Sequence, residues 1–135
     1  TQTFSEQDLC FETLGKSQGL YIEGYLVASP TGQKAAVKAK NFCESQGILT
    51  SLTLSDPNMV KFFREGLQEI IGKGVDLLFC NEKEAQEYVG STSYPELIQG
   101  LKKIAKQFVI TRSERGALVY KDGKTLEVHS YPVEA

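Results

Sequence analysis

Histidine is almost missing from this 135-residue chain, with His129 its single instance, and Cys10, Cys43 and Cys80 are its only thiols. Widely spaced and without a C-x-x-C, they assemble no zinc site by ordinary spacing rules. An odd number of cysteines argues against a disulfide framework and for reduced, mostly buried thiols. Cys80 reads as a small buried residue at a strand end, with no catalytic role, and a lone His129 on a hairpin arm reads as a strand residue. No apolar run approaches membrane-spanning length, and the first residues, TQTFSEQ, have neither the basic start nor the apolar core of a signal peptide. The expectation is a cytoplasmic protein with no membrane partner. Cationic excess is lacking too: fifteen Lys and Arg stand against seventeen Asp and Glu, for a net charge of -2, which gives a nucleic-acid surface no electrostatic support, and none is expected as a partner. There is no internal repeat and no low-complexity linker. The length fits one compact domain, and 41% apolar with 24% charged residues is ordinary for a soluble fold, enzyme or not.

What is present is an alternation of strand and helix signals. Ser5 to Leu14 reads as a short helix stopped by Gly15. Leu20 to Val27 reads as a strand in which Gly24 marks a close backbone approach, with Glu23 facing solvent near the strand edge. The run from Thr31 to Gln46 places Ala35, Ala36, Ala39, Phe42 and Cys43 on one helical stripe, and Gly47 ends it. Ile48 to Leu54 is a second strand. Asp56 and Pro57 then cap and open a helix whose apolar positions, Met59, Val60, Phe63, Leu67, Ile70 and Ile71, recur at three and four. Past Gly72 to Gly74 the strand beginning at Val75 follows, with apolar residues on both parities, the pattern of a strand buried on two faces of a parallel sheet. A helix through Ala85 and Tyr88 ends at Gly90. Another spans Ser93 to Ala105, with Ser93 and Glu96 as its capping box. Phe108 to Thr111 is a further parallel strand, and Asp122-Gly123 between ALVYK and KTLEVH signals a type I′ hairpin. The reading is an α/β layer with a hairpin at one edge.

The stretch VDLLFCNEKE, Val75 to Glu84, organises this pattern. Asn81 stands where a strand hands over to a helix, and Glu84 three residues later completes a capping-box variant. Capping alone accounts for the pair when the four residues are taken by themselves, and it likewise accounts for Asp56 before Pro57. The carboxyl ends of parallel strands are also where ligands bind in open sheets. A second loop, Thr111 to Gly116, should emerge at the same edge. Thr111 and Ser113 offer hydroxyls, Gly116 permits close backbone approach, and Arg112 and Arg115 can meet phosphate charge or stack on a base.

The string VDLLFCNEKEAQEYVG, followed after one helix by FVITRSERGALVYKDGKTLEVHSYPV, resembles the ribokinase-like PfkB family of ATP-dependent sugar and nucleoside kinases. YIEGYLVASPTGQKAAVKAK and LTLSDPNMVKFFRE are similar to its corresponding strand-helix segments, particularly in the branch that includes adenosine kinase. The likeness spans nearly the whole chain. It implies a three-layer ribokinase-like core with a mostly parallel sheet, and an N-x-x-E motif at Asn81 and Glu84 that orders magnesium, its waters and the ATP phosphates, Glu84 acting on the metal through water. It also implies a T-x-G-x-x-G nucleotide loop mapped onto Thr111, Arg112, Ser113, Glu114, Arg115 and Gly116. The implied cofactors are ATP and Mg2+, with a monovalent cation in the parent protein. The implied partner is a small-molecule sugar or nucleoside. Ser113 stands where the family commonly has Gly.

The family's G-A-G-D stretch, with its catalytic Asp and helix N-terminus for the developing charge, does not occur in these residues. The expectation is therefore an internal fragment, residues 1–135 forming the central part of one domain. It would lack the N-terminal lid and substrate segment and the C-terminal catalytic segment, with the base Asp beyond Ala135. Such a fragment is expected to be inactive alone and to self-associate through sheet edges and helix faces left uncovered. Two other readings stay open: a non-catalytic nucleotide-binding or scaffold module of the same fold, and a flavodoxin-like or receiver-like domain, which lacks the expected acidic cluster after its first strand.

Overall fold

The computed structural model describes residues 19–128. Within them a six-stranded sheet runs in the order β1-β2-β3-β4-β5-β6, strictly sequential. The strands are β1 (Gly19–Glu23), β2 (Leu49–Thr53), β3 (Val75–Asn81), β4 (Ala105–Thr111), β5 (Ala117–Lys121) and β6 (Lys124–Val128). The first four are parallel, and the last two add antiparallel to β4 as a hairpin. The helices are α1 (Pro30–Ser45), α2 (Pro57–Phe62), α3 (Arg64–Ile71), α4 (Glu82–Val89) and α5 (Tyr94–Lys102). Strand, helix and parallel strand alternate as the apolar periodicities require, because a parallel neighbour is reached only through a crossover. None of these helices is long and apolar enough to cross a membrane. The expected helix at Ser5 to Leu14, Cys10 and His129 lie outside the described residues.

The helices touch one another in series: α1 on α3, α3 on α2, α2 on α4, and α4 on α5. They form one layer over one face of the sheet. On that face Ile22, Leu52, Leu78 and Phe108 are register partners across β1 to β4, and all are buried. Val60, Leu67, Ile70, Leu97 and Leu101 close over them from the helices. Fully burying one such side chain contributes about 1.5–3 kcal/mol, so this row and the helix residues packed on it are a large favourable contribution to folding. The opposite face differs from the two-sided burial expected for the β3 strand. Leu77 and Phe79 are only half-buried, Tyr21 meets Phe79 edge-on with ring centroids 6.4 Å apart, and Tyr21 and Leu126 are 56% and 63% exposed. The apolar residues fall on both parities as expected, but the described helices cover one parity alone.

Four local departures from the sequence pattern have physical causes. β1 stops at Glu23, and Gly24–Ala28 form a 3₁₀ turn. A Cβ on Gly24 would lie 2.8 Å from the carbonyl oxygens of both Thr53 and Leu54, so the chain passes directly over the end of β2 as only glycine can. The single helix expected from Pro57 to Ile71 is two, because Phe63 leaves helical geometry at φ -125, ψ 31 and caps both pieces. The Ser93–Glu96 capping box does not form: Ser93 makes no side-chain cap, and its own N–H, which Glu96 would receive, donates to Ser91 Oγ at 3.1 Å. α5 also ends at Lys102, and the next strand begins at Ala105, earlier than expected, because Ala105 pairs in register with Val75. The hairpin is as anticipated, with positive φ at both Asp122 and Gly123.

Candidate functional site

Asn81 and Thr111 are the last residues of β3 and β4 and are register partners. The two loops singled out in the sequence therefore leave the sheet side by side at its carboxyl edge. Asn81 sits at φ -91, ψ 175, extended backbone, and caps α4 reciprocally. The Glu84 N–H donates to Asn81 Oδ1 at 2.7 Å, and the Asn81 N–H donates to Glu84 Oε1 at 2.9 Å. Glu84 is only 4% exposed. Burial pushes its carboxyl above the ordinary carboxylate range, the Asn81 N–H opposes that push, and the negative charge of Asp56 adds to it.

Asp56 reaches this edge from the end of β2. Its Oδ1 accepts from the Asn58 N–H at 2.7 Å, the expected cap of α2. Ser55, just before it, has φ +70, and the Asp56 N–H donates to the Leu54 carbonyl across it at 2.8 Å, a strained γ-turn. The Ser55 Oγ is buried without a hydrogen-bond partner. Two carboxylates, an orphaned buried hydroxyl and a strained turn thus lie together at one strand edge, where capping alone was the sequence reading of Asp56. The signal was its place at a strand's carboxyl end, but its effect on Glu84 depends on a β2–β3 juxtaposition no local pattern shows.

The second loop is a closed turn. The Arg112 N–H donates to the Gly116 carbonyl at 2.7 Å, and the Gly116 N–H donates back to Ser113 at 3.1 Å around a 3₁₀ turn at Ser113–Arg115. Gly116 adopts φ 86, ψ -137, open only to glycine. Ser113 is at φ +54, left-handed although it carries a Cβ. Thr111, Ser113 and Glu114 are exposed. Both arginines have partners within the protein. The Arg112 side chain is 8% exposed. Its Nη2 donates to the Arg115 carbonyl at 3.2 Å, its guanidinium lies 6.0 Å from the Tyr94 ring centroid, and its Nε is buried without a partner. Arg115 Nη2 donates to both carboxylate oxygens of Glu82, at 2.5 and 2.6 Å. Glu82 and Tyr94 were missed in the sequence because these contacts join residues 33 and 12 positions apart.

Cys80, beside the cap, is buried and donates weakly to the Val109 carbonyl. Burial, with the Glu84 charge second, pushes its thiol up to about 12, so it is an inert packing residue at neutral pH.

The pfkB family carbohydrate kinase model matches residues 1–135, the full length of the chain. The chain belongs to the pfkB family. Among solved structures, this pfkB chain is similar to an adenosine kinase from Sinorhizobium meliloti, with TM-score 0.90, 26% identity, and coverage of 98% of this chain and 41% of that one. A probable sugar kinase from Rhizobium etli CFN 42 shares the fold at TM-score 0.88 and 24% identity, covering 96% of this chain and 40% of its own. So does a putative ribokinase II from E. coli in complex with ATP and Mg2+, at TM-score 0.85 and 22% identity, covering 97% and 44%. No curated protein sequence matches the chain. The chain spans about two-fifths of the length of the solved kinases it matches.

Two predictions follow from this geometry. Replacing Ser113 with Gly removes a Cβ from a left-handed residue, and the S113G protein should gain about 0.5–1 kcal/mol in urea unfolding, whereas a loss would show that the Ser113 side chain supports the turn. The second concerns Glu84, whose carboxyl titrates above its unfolded value. Its contribution to stability is present below the unfolded value and is lost as pH rises through the folded one. Gln keeps the oxygen that accepts from the Asn81 N–H, so E84Q should match or exceed the parent in metal-free unfolding at about pH 8, with the gap closing towards about pH 4. Lower stability of E84Q at the higher pH would contradict this account.

Proposed function

We propose that the protein carrying this chain is a kinase that uses ATP and Mg2+ to phosphorylate a hydroxyl of a sugar or nucleoside, and that the chain supplies the phosphate and magnesium side of its site. The observation that carries this reading is the adjacency of two loops at the carboxyl edge: the Asn81–Glu84 cap on β3 and the Thr111–Gly116 turn on β4. The adenosine kinase likeness and the ATP and Mg2+ complex of the ribokinase-fold relative support it.

In this reading the phosphates lie where the first N–H groups of α4 and the backbone of the 112–116 turn face the ligand, with Thr111 between them. Asn81 Oδ1 is committed to the cap, which leaves its amide nitrogen as a donor for a phosphate oxygen. The residues present fit magnesium. Glu84 is a buried carboxylate beside a second one, Asp56, and Ser55 Oγ is a buried polar atom lacking a partner, an arrangement a cation would relieve. Among the described residues no group of three or more potential metal-ligating acids, histidines and cysteines exists. Mg2+ suits such a place, because it keeps several waters and takes one or two carboxylates plus phosphate oxygens. When bound it would offset charge on the β- and γ-phosphates. In this reading the activity is assigned to the full-length protein, of whose solved relatives this chain spans about two-fifths.

The test is an ATP-coupled screen of sugars and nucleosides with the full-length protein, repeated for E84Q and N81A. One acceptor class should consume ATP, and both variants should lose about 100-fold or more in kcat/KM. Absence of turnover with every acceptor, or full activity in E84Q, would refute the proposal.

A further inference from the structure

Glu82 is the first residue of α4, next to Asn81 in the chain, yet its contacts lead away from the cap. Its carboxylate receives Arg115 Nη2 on both oxygens, at 2.5 and 2.6 Å. It also accepts from the Tyr94 hydroxyl at the start of α5. Tyr94 in turn has the Arg112 guanidinium 6.0 Å from its ring, and Arg112 holds the Arg115 carbonyl at 3.2 Å. One carboxylate thus ties α4, α5 and the 112–116 turn together.

Stability is a poor explanation for this arrangement. The Arg115 side chain is 60% exposed, and ion pairs with an exposed partner contribute little to folding. What the contact does is geometric. The turn carries a left-handed Ser113, and an external anchor on Arg115 selects one placement of it relative to Asn81. The anchor also pairs the Arg115 charge within the protein.

We infer that Glu82 is a positioning residue of the nucleotide site: through Arg115 it fixes the 112–116 turn against the N-terminus of α4, with Tyr94 holding the carboxylate in place. The inference rests on the kinase reading given above. It assigns Arg115 an indirect role, set by Glu82, in place of direct contact with phosphate. Burial raises the Tyr94 hydroxyl above its ordinary range and the bond to Glu82 raises it further, which makes Tyr94 a reporter of the contact.

The experiment uses the full-length protein and the variants E82Q, R115A, E82Q/R115A and Y94F. With the acceptor saturating, E82Q should raise KM for ATP about 5–10-fold with kcat changed less than about twofold, since uniform binding geometry is lost. R115A should raise KM by a similar factor, and the double variant no further, because one contact is removed in every case. In tyrosine absorbance titrations, with Y94F identifying the Tyr94 component, E82Q should move that component to lower pH. A lower KM for ATP in E82Q, or additive effects with R115A the costlier, would mean that Arg115 binds phosphate itself and would overturn the inference. An active protein whose Tyr94 titration ignores E82Q would overturn it as well. A protein with the Tyr94 shift but no ATP-dependent transfer would sink the kinase reading, and the positioning role with it, while leaving the contact itself established.

Discussion

The reciprocal cap between Asn81 and Glu84 is the interaction on which the rest of the carboxyl edge depends. It ends β3, starts α4, and satisfies two backbone N–H groups that would otherwise be left at a helix terminus. To do so it draws a carboxylate into the interior, where Glu84 is nearly inaccessible and feels Asp56. A cap made of Asn and Gln would satisfy the same N–H groups without the buried charge. The choice of a carboxylate therefore works against local stability, and the proposed cation and polyphosphate site would be a physical reason to keep it.

The same tension recurs nearby. Ser55 and Ser113, both non-glycine residues at positive φ, are the residues at which the chain leaves the ends of β2 and β4, and Gly116 occupies backbone space closed to any other residue. Strain of this kind persists only where surrounding contacts over-determine the conformation. Around Ser113 those contacts are the hydrogen bonds closing the turn and the Glu82–Arg115 pair. The sheet beneath is the rigid part: Leu52, Leu78 and Phe108 lock the strand register that places Asn81 beside Thr111.

Much of this was legible in the sequence because it is local. The Asn81–Glu84 spacing, the Asp122-Gly123 turn, the Gly24 approach and the alternation that makes the sheet parallel each rest on residues within a few positions of one another. What escaped was non-local or decided by competition. The break at Phe63 interrupts an apolar period that continues through it, so periodicity could not show it. Ser93 and Glu96 had the spacing of a capping box, but Ser91 Oγ takes the Ser93 N–H that Glu96 would receive. The half-open face of β3 carries the same apolar residues a fully covered strand would. Arg112 and Arg115 had the composition of a phosphate site, and only the fold reveals their contacts with Glu82, Tyr94 and Glu127. Ser113 is left-handed although it carries a Cβ, which its place in the sequence alone did not show.

The central claim is that two loops, joined by strand register, receive one ligand. Hydrogen exchange on the full-length protein, with and without Mg2+ and ATP, tests it directly, because a ligand bound to both segments suppresses their local opening. Added together, ATP and Mg2+ should slow exchange further across 81–84 and 112–116, whose N–H groups already bond partly within the cap and the turn, and omitting Mg2+ should weaken the effect at both. Nucleotide binding that leaves either segment unchanged would contradict the shared site.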